Sequence, residues 1–193
     1  MPRHREDRID ESVLPLALES FLDRGVDGTI VVDIARRARV SRQSIYRRWP
    51  TREALVLAAL DTAPATLPEP RGTTLRDRLI SLLSSIDIGR VASRFAAFAA
   101  RAPAESQRYP EVARRAVERL VGPRHAQLVA ELRAGAARGE LDADIDVLLL
   151  ADVLTSPPMF RMLVPPITDG AQDRVPVDVP ALVDLVLRGA APG

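Results

Sequence analysis

Between Asp33 and Glu53 the chain carries seven arginines, Arg36, Arg37, Arg39, Arg42, Arg47, Arg48 and Arg52, and no acidic residue. Most of them are set in the string Asp33-Ile-Ala-Arg-Arg-Ala-Arg-Val-Ser-Arg-Gln-Ser-Ile-Tyr-Arg-Arg-Trp49. Its apolar residues fall at helical spacing on either side of Ser41, so it reads as two short helices joined by a tight turn. Val32, Ile34, Ala35, Val40, Ile45 and Trp49 are the residues expected to hold this pair against a preceding helix. A basic stripe on a helix-turn-helix is the electrostatic footprint of a surface that meets DNA. Any one of these arginines alone is as well explained as a solvated charge. The run without an acid, on a capped pair of helices, is what carries the reading.

The flanking segments supply the rest of a helical unit. Ile9, Val13, Leu16, Ala17 and Phe21 share one face of a first helix, which Gly25 ends at a C′ position. Pro15 falls inside it, so the helix either begins close to Pro15 or kinks there, since an interior proline removes a backbone hydrogen bond. Thr29 is the expected N-cap of a second helix running to about Ala38, with Asp33 near its positive end. Ser41 caps a third helix from Arg42 to about Trp49, and Thr51 opens a fourth that continues through Leu60.

Residues 62–72, rich in Pro and Thr, mark a boundary. It divides the chain into a helix-turn-helix domain, 1–60, and a helical C-terminal domain, 61–193. Within the latter, helical stretches are predicted over 74–89, 91–102 and 110–138, with Pro123 either kinking the last or starting a new segment. Asp146 then caps a helix to about Met162, residues 164–179 read as loop, and 180–188 as a short closing helix. No convincing alternating strand appears, so the fold class is all-α, a three-helix reading unit followed by a helical bundle.

Composition narrows the class further. The length of 193 residues allows one large domain or a small and a medium one, and the 47% hydrophobic content is enough for a sizeable core. Residues 1–53 hold 11 arginines against 9 acids, 11 − 9 = +2, and the remaining 140 hold 16 against 17, giving −1. The chain has no cysteine, which removes disulfide and thiolate chemistry, and its polar N-terminal segment lacks the apolar stretch of a signal peptide, so a cytoplasmic location is expected. Val147 to Val164 is largely apolar but contains Asp152, Arg161 and Pro157-Pro158, against the roughly twenty predominantly apolar residues of a membrane span.

In a helix-turn-helix the second helix enters the major groove and its N-terminal residues reach base edges. Those residues are Arg42, Gln43 and Ser44, with Arg47 one turn on. Arginine pairs bidentately with guanine and glutamine with adenine. Tyr46 and Arg52 are placed to offer a hydroxyl and a charge to phosphates, and Arg48 adds to the stripe. For Tyr46 and Trp49 core packing is the competing reading.

At this point the sequence resembles the TetR family of bacterial transcriptional regulators. The family pattern is a helix ending in Gly, then Thr-x-x-x-Ile-Ala-x-x-Ala-Gly-Val-Ser, then Thr-hydrophobic-Tyr-x-x-Phe/Trp and Lys-Glu-x-Leu. Here Gly25 is followed by Asp33-Ile-Ala-Arg-Arg-Ala-Arg-Val-Ser41 and Ser44-Ile-Tyr-Arg-Arg-Trp49-Pro-Thr-Arg-Glu-Ala-Leu55, a match over about residues 9–60. Ala137-Arg-Gly-Glu-Leu-Asp-Ala-Asp-Ile-Asp146 is similar to the connection before the penultimate helix in one branch of the family. Three positions depart from the pattern. Arg39 replaces the glycine usual in the turn, so either the turn tolerates a side chain or its geometry shifts. Ile30 stands where a capping, phosphate-contacting Thr is common, with Thr29 able to take over one residue early. Arg52 replaces a Lys, keeping charge with different donor geometry.

The resemblance implies an all-α homodimer that binds a pseudo-palindromic operator in double-stranded DNA, usually represses, and is released by a small molecule. The dimer would be built from the last two helices, through Leu149, Val153 and Phe160 on one and Leu182, Val183, Val186 and Leu187 on the other, unless these are an ordinary core face. Phe95, Phe98, Met159, Phe160 and Met162 are candidates for an apolar effector pocket, or for plain core. Helix four and residues 62–72 are where coupling between pocket and DNA is expected.

Enzyme chemistry has little to stand on. His4 and His125 lack metal-ligand spacing or a nucleophile partner, and no phosphate loop or nucleophile elbow appears, so no cofactor or metal is implied. Asp142-Ala-Asp144-Ile-Asp146 imitates the start of a calcium loop, but Val147 holds the glycine position and Val153 the bidentate Glu position, leaving helix capping as the better reading. The alternative function is an all-α module whose basic helices dock an acidic protein partner.

Overall fold

The computed structural model describes residues 3–63, 68–84, 90–163 and 177–191, with side chains described except at 3–7, 90–97, 159 and 161–163. In chain order the elements are α1 (Arg3–Arg24), α2 (Val31–Ala38), α3 (Arg42–Arg48), α4 (Arg52–Asp61), α5 (Leu75–Ser84), α6 (Arg90–Arg108), α7 (Pro110–Ala116), a π-helical turn (Val117–Val121), α8 (Gly122–Ala137), α9 (Val147–Leu163) and α10 (Val179–Gly189). The described residues contain no strand. The chain forms two compact units, Met1–Thr66 with Arg94–Gly122, and Leu67–Ser93 with Pro123–Gly193.

The first unit is built on α1. The helix continues through Pro15, whose ring sits on its exposed face, while Val13, Leu14, Ala17 and Phe21 are buried. Gly25 ends it in a left-handed conformation, φ 74°, with its N–H donating to Phe21 O at 2.8 Å. Val13, Leu14 and Ala17 pack on Val31, Ile34 and Ala35 of α2, Ile45 of α3, Trp49, and Leu55 and Ala59 of α4. Val32, expected among the anchors, is exposed instead: α2 starts at Val31, and that residue takes the inward position. The other side of α4, Val56 and Leu60, packs with Phe21, Val26, Phe98, Val112 and Ala116. Helix α4 thus has two buried faces, one toward the helix-turn-helix and one toward α6 and α7, so residues 94–122 share a core with the N-terminal segment.

Caps fix where the short helices begin. Ser44 N–H donates to Ser41 Oγ at 3.0 Å and Ala54 N–H to Thr51 Oγ1 at 3.0 Å, both as the sequence suggested. Thr29 is not a cap. The N-cap of α2 is Ile30, which has no side-chain acceptor, and the Thr29 hydroxyl donates backward to Gly25 O at 2.8 Å, closing the 25–29 turn.

In the second unit, Leu75, Leu79 and Leu82 of α5, Leu128, Val129 and Leu132 of α8, Leu150, Ala151 and Leu154 of α9, and Val183 and Val186 of α10 form one core. Gly135 lets α8 approach α5, since a Cβ there would meet the Leu75 methyls. The segment expected over 110–138 is interrupted before Pro123. That residue has no N–H to donate and its ring would press on the carbonyl four residues back. The π-helical turn meets this by widening, with Gly122 N–H reaching five residues back to Val117 O. Asp146 Oδ1 accepts from Leu148 and Leu149 N–H at 3.0 and 3.1 Å, capping α9. Asp142 Oδ1 accepts from Asp144 N–H at 2.9 Å, so two of the carboxylates that imitate a calcium loop are engaged in backbone turns. Of the loop expected over 164–179, residues 164–176 lie outside the described residues.

Candidate nucleic-acid interface

Helix α3 is two turns long and amphipathic by position. Ile45 and Trp49 point inward and are buried, while Arg42, Gln43, Tyr46 and Arg47, at i, i+1, i+4 and i+5, share the opposite, exposed face. Tyr46 is therefore a surface residue and Trp49 a core one. Ser44 is half-buried and its hydroxyl lies 2.8 Å from Ser41 Oγ.

The arginines divide by partner. Arg36 pairs with Asp33 at 3.2 Å and Arg37 with Glu19 at 2.7 Å. Arg48 meets Asp10 at 2.6 Å, with its guanidinium carbon 5.6 Å from the centre of the Trp49 ring. Its guanidinium is thus engaged within the unit, unlike those of the arginines on the outer face of α3. Arg52 donates to Asp27 O at 2.7 Å and remains exposed at the start of α4. Among the described residues no carboxylate pairs with Arg39, Arg42 or Arg47, so three positive charges stand uncompensated on and beside the outer face of α3.

Arg39 settles the geometry of the turn. It keeps the left-handed conformation, φ 56° and ψ 41°, and is the only non-glycine residue with positive φ among those described. Val40 N–H donates to Ala35 O at 3.0 Å across it, the closure a glycine would allow without strain. The turn is retained and a side chain is tolerated. Thr29 does not reach the surface: it is 1% exposed with its hydroxyl spent on Gly25, which removes it as a phosphate contact.

One cluster had no local signal in the sequence. Asp27, in the turn before α2, receives the Tyr109 hydroxyl on Oδ1 at 2.7 Å, holds Arg108 against Oδ2 at 3.0 Å, and accepts Arg52 on its carbonyl. The hydrogen bond to Asp27 raises the Tyr109 pKa. Tyr109 lies 82 residues from Asp27 and Arg52 lies 25, so no helical periodicity joins them.

The candidates for the effector pocket and the dimer fare differently. The side chains of Phe95, Met159 and Met162 lie outside the described residues. Phe98 is buried against Phe21 in an edge-to-face contact, ring centres 5.6 Å apart, within the first unit. Phe160 belongs to the second unit and is 65% exposed among the described residues. Val183 and Val186 are buried core residues of the second unit, and Leu182 and Leu187 are partly buried against that core. Leu149, Val153 and Phe160 on α9 stay exposed, joined by Leu148 and by Leu185 on α10, which the sequence reading passed over.

A capped helix-turn-helix with its second helix presenting uncompensated arginine and glutamine defines the class of DNA-reading regulators, and among the described residues no helix is long and apolar enough to cross a membrane. The chain belongs to the TetR family. Residues 13–59 match the family of bacterial regulatory proteins called tetR, and residues 69–187 match the tetracyclin repressor-like C-terminal domain. The chain is 27% identical over 165 residues to the uncharacterised HTH-type transcriptional regulator YdeS of Bacillus subtilis (strain 168), covering 84% of this chain and 82% of that protein. It is 32% identical over 151 residues to the HTH-type transcriptional regulator AqdR of Rhodococcus erythropolis, covering 74% and 68%. The fold is similar to the crystal structure of the TetR family transcription regulator SCO0332, with a TM-score of 0.65, 25% identity, and coverage of 95% and 99%. It is accordingly a DNA-binding transcriptional regulator and not an enzyme.

Proposed function

We propose that this regulator is a cytoplasmic repressor that binds a pseudo-palindromic operator as a homodimer and is released by a small molecule. The observation that carries the DNA-contact part is the outer face of α3, where Arg42, Gln43, Tyr46 and Arg47 are exposed and, among the described residues, no carboxylate pairs with either arginine. Arg42 and Gln43, at the N-terminal end, are assigned to base edges, and Ser44 to either a base or a phosphate. Tyr46, Arg47 and Arg52 are assigned to phosphates, which fix register without reading sequence.

Dimerisation is supported by α9. Leu149, Val153 and Phe160 stand at i, i+4 and i+11, on one side of the helix, and all are exposed. Large exposed apolar side chains aligned in this way suit a second copy of the same surface. Release follows from linkage: a ligand that prefers a dimer whose reading heads do not match the operator weakens DNA binding by the factor that DNA weakens the ligand.

The test is selection of bound DNA from a random pool at stated salt, because phosphate contacts make affinity salt-dependent. A pseudo-palindrome with half-sites about one helical turn apart, or a multiple of it, is expected. No enrichment from folded, dimeric protein overturns the reading and favours docking to an acidic protein partner.

A further inference from the structure

The first unit contains a cavity of about 560 Å³, open on one side, between the end of α1, the second half of α6, and α7 with its π-helical turn. Its walls are apolar, with Phe21, Phe98, Val112 and Val117 among them. Val117, a large apolar side chain, is 54% exposed among the described residues. The volume falls in the range of pockets that hold small organic ligands.

The polar groups that line this cavity are few. Glu105, Glu118 and Arg114 line it. Arg114 pairs with Glu111 and Glu118, and Arg115 also meets Glu111 at 3.5 Å and Glu118 at 3.7 Å, so these two carboxylates are already served by arginines. Glu105 stands apart from that network. Its Oε1 accepts the Val26 N–H at 3.2 Å; among the described residues its Oε2 is buried with no hydrogen-bond partner, as is Nε of Arg101, one turn earlier on α6. A buried carboxylate oxygen without a donor is costly, and the cost is lifted by a donor that carries positive charge. We propose that this cavity is a binding site for a small lipophilic amine, its apolar body against Phe21, Phe98 and Val112 and its ammonium group directed to Glu105.

The same carboxylate touches the helix-turn-helix entrance. Glu105 lies over Gly25, where any Cβ would overlap Oε1, and Arg101, one turn earlier on α6, donates to Leu22 O at 2.7 Å. Together they hold the end of α1 and the turn that leads into α2. An ammonium that draws Glu105 toward itself competes with the Val26 bond, so occupancy is linked to the placement of α2 and α3. This consequence rests on the DNA-binding reading above; the site itself does not.

The experiment is titration calorimetry on the full chain without DNA, using 4-phenylbutylamine, charged at neutral pH, and 4-phenylbutanol, the same frame with a neutral head. The amine is expected to bind about tenfold or more tightly than the alcohol, as a charge-assisted hydrogen bond implies. Glu105→Gln keeps an acceptor for Val26 and is expected to lower amine affinity about tenfold, leaving the alcohol unchanged. Ala102→Phe, which fills the cavity, abolishes binding of both. Equal binding of the two probes, amine binding unaltered by Glu105→Gln, or no binding to wild-type protein overturns the proposal. If Glu105→Gln does not fold, the wild-type comparison and Ala102→Phe decide. Because no DNA is present, failure here leaves the operator reading standing, and failure of the operator selection leaves this site standing.

Discussion

Asp10 of α1 and Arg48 of α3 meet at 2.6 Å with 34% and 25% of their side chains exposed, tying the helix expected to read DNA to the one that supports it. The pair sorts the basic stripe into charges that build the unit and charges left for a partner. Removing Arg48 strips Asp10 of its charged partner in a half-buried site, where among the described residues one oxygen, Oδ1, already lacks a hydrogen bond. Arg48→Ala is expected to lower stability by about 1–2 kcal/mol. Arg42→Ala is expected to leave stability within about 0.5 kcal/mol, because the side chain is exposed and, among the described residues, touches no carboxylate. Its effect belongs in DNA affinity instead. Urea unfolding of both variants, followed by affinity for the selected DNA, separates the two roles, and equal losses of stability would contradict the division.

Arg39 holds a conformation that costs an L-residue roughly 1–2 kcal/mol relative to glycine. Some of that is returned by the smaller entropy a side chain loses compared with glycine. Arg39→Gly is therefore expected to raise stability by about 0.5–1 kcal/mol. It also removes one of the three arginines without a carboxylate partner, so DNA affinity should fall and its salt dependence flatten by about one unit of slope if Arg39 meets a phosphate. Greater stability with unchanged salt dependence would assign Arg39 to the turn alone.

Leu149 and Val183 were expected to serve the same interface, yet one is 60% exposed and the other fully buried. Leu149→Glu places a charge on the outer face of α9 and is expected to yield monomer by light scattering, with little change in the folding of the monomer itself. Val183→Ala opens a small void among Leu79, Leu132 and Leu154 and their neighbours, and is expected to cost about 2 kcal/mol without altering the subunit count of the folded protein. A dimer that survives Leu149→Glu would move the interface elsewhere.

The helix-turn-helix was legible because its signals are local. Ser41 and Thr51 are caps whose acceptor and donor lie three residues apart, and Ile45 and Trp49 repeat at one helical turn. Thr29 was misassigned because a threonine hydroxyl serves a turn carbonyl behind it as well as a helix N–H ahead. Val183 and Leu149 look alike in sequence, since a buried face and a partner-facing one follow the same apolar spacing. Only the surrounding helices distinguish them. Asp27 with Tyr109, and Glu105 over Gly25, were beyond reach for a different reason: each joins segments about 80 residues apart, and nothing in local pattern specifies such pairs.

The last turn of α4 carries Asp61, a carboxylate at the negative end of a helix, where the backbone dipole disfavours it. Arg115 and Arg119 offset this, meeting Asp61 Oδ1 at 2.5 and 3.0 Å. The hydrogen bond from Arg115, with the nearby charges of both arginines, holds the Asp61 pKa below its ordinary 3.8 against the opposing effect of burial. A carboxyl whose pKa is lower folded than unfolded binds fewer protons in the native state, so its contribution to stability is present in full above the ordinary value. The contribution is lost as pH falls from there through the lowered native value. Asp61→Asn is therefore expected to be less stable than wild type near neutral pH, with the difference shrinking below about pH 4 and vanishing in stronger acid. Urea midpoints for both proteins between neutral pH and about pH 2 read this directly. A gap between the two that stays constant across the range would mean that Asp61 matters for its shape and hydrogen bonding rather than for its charge.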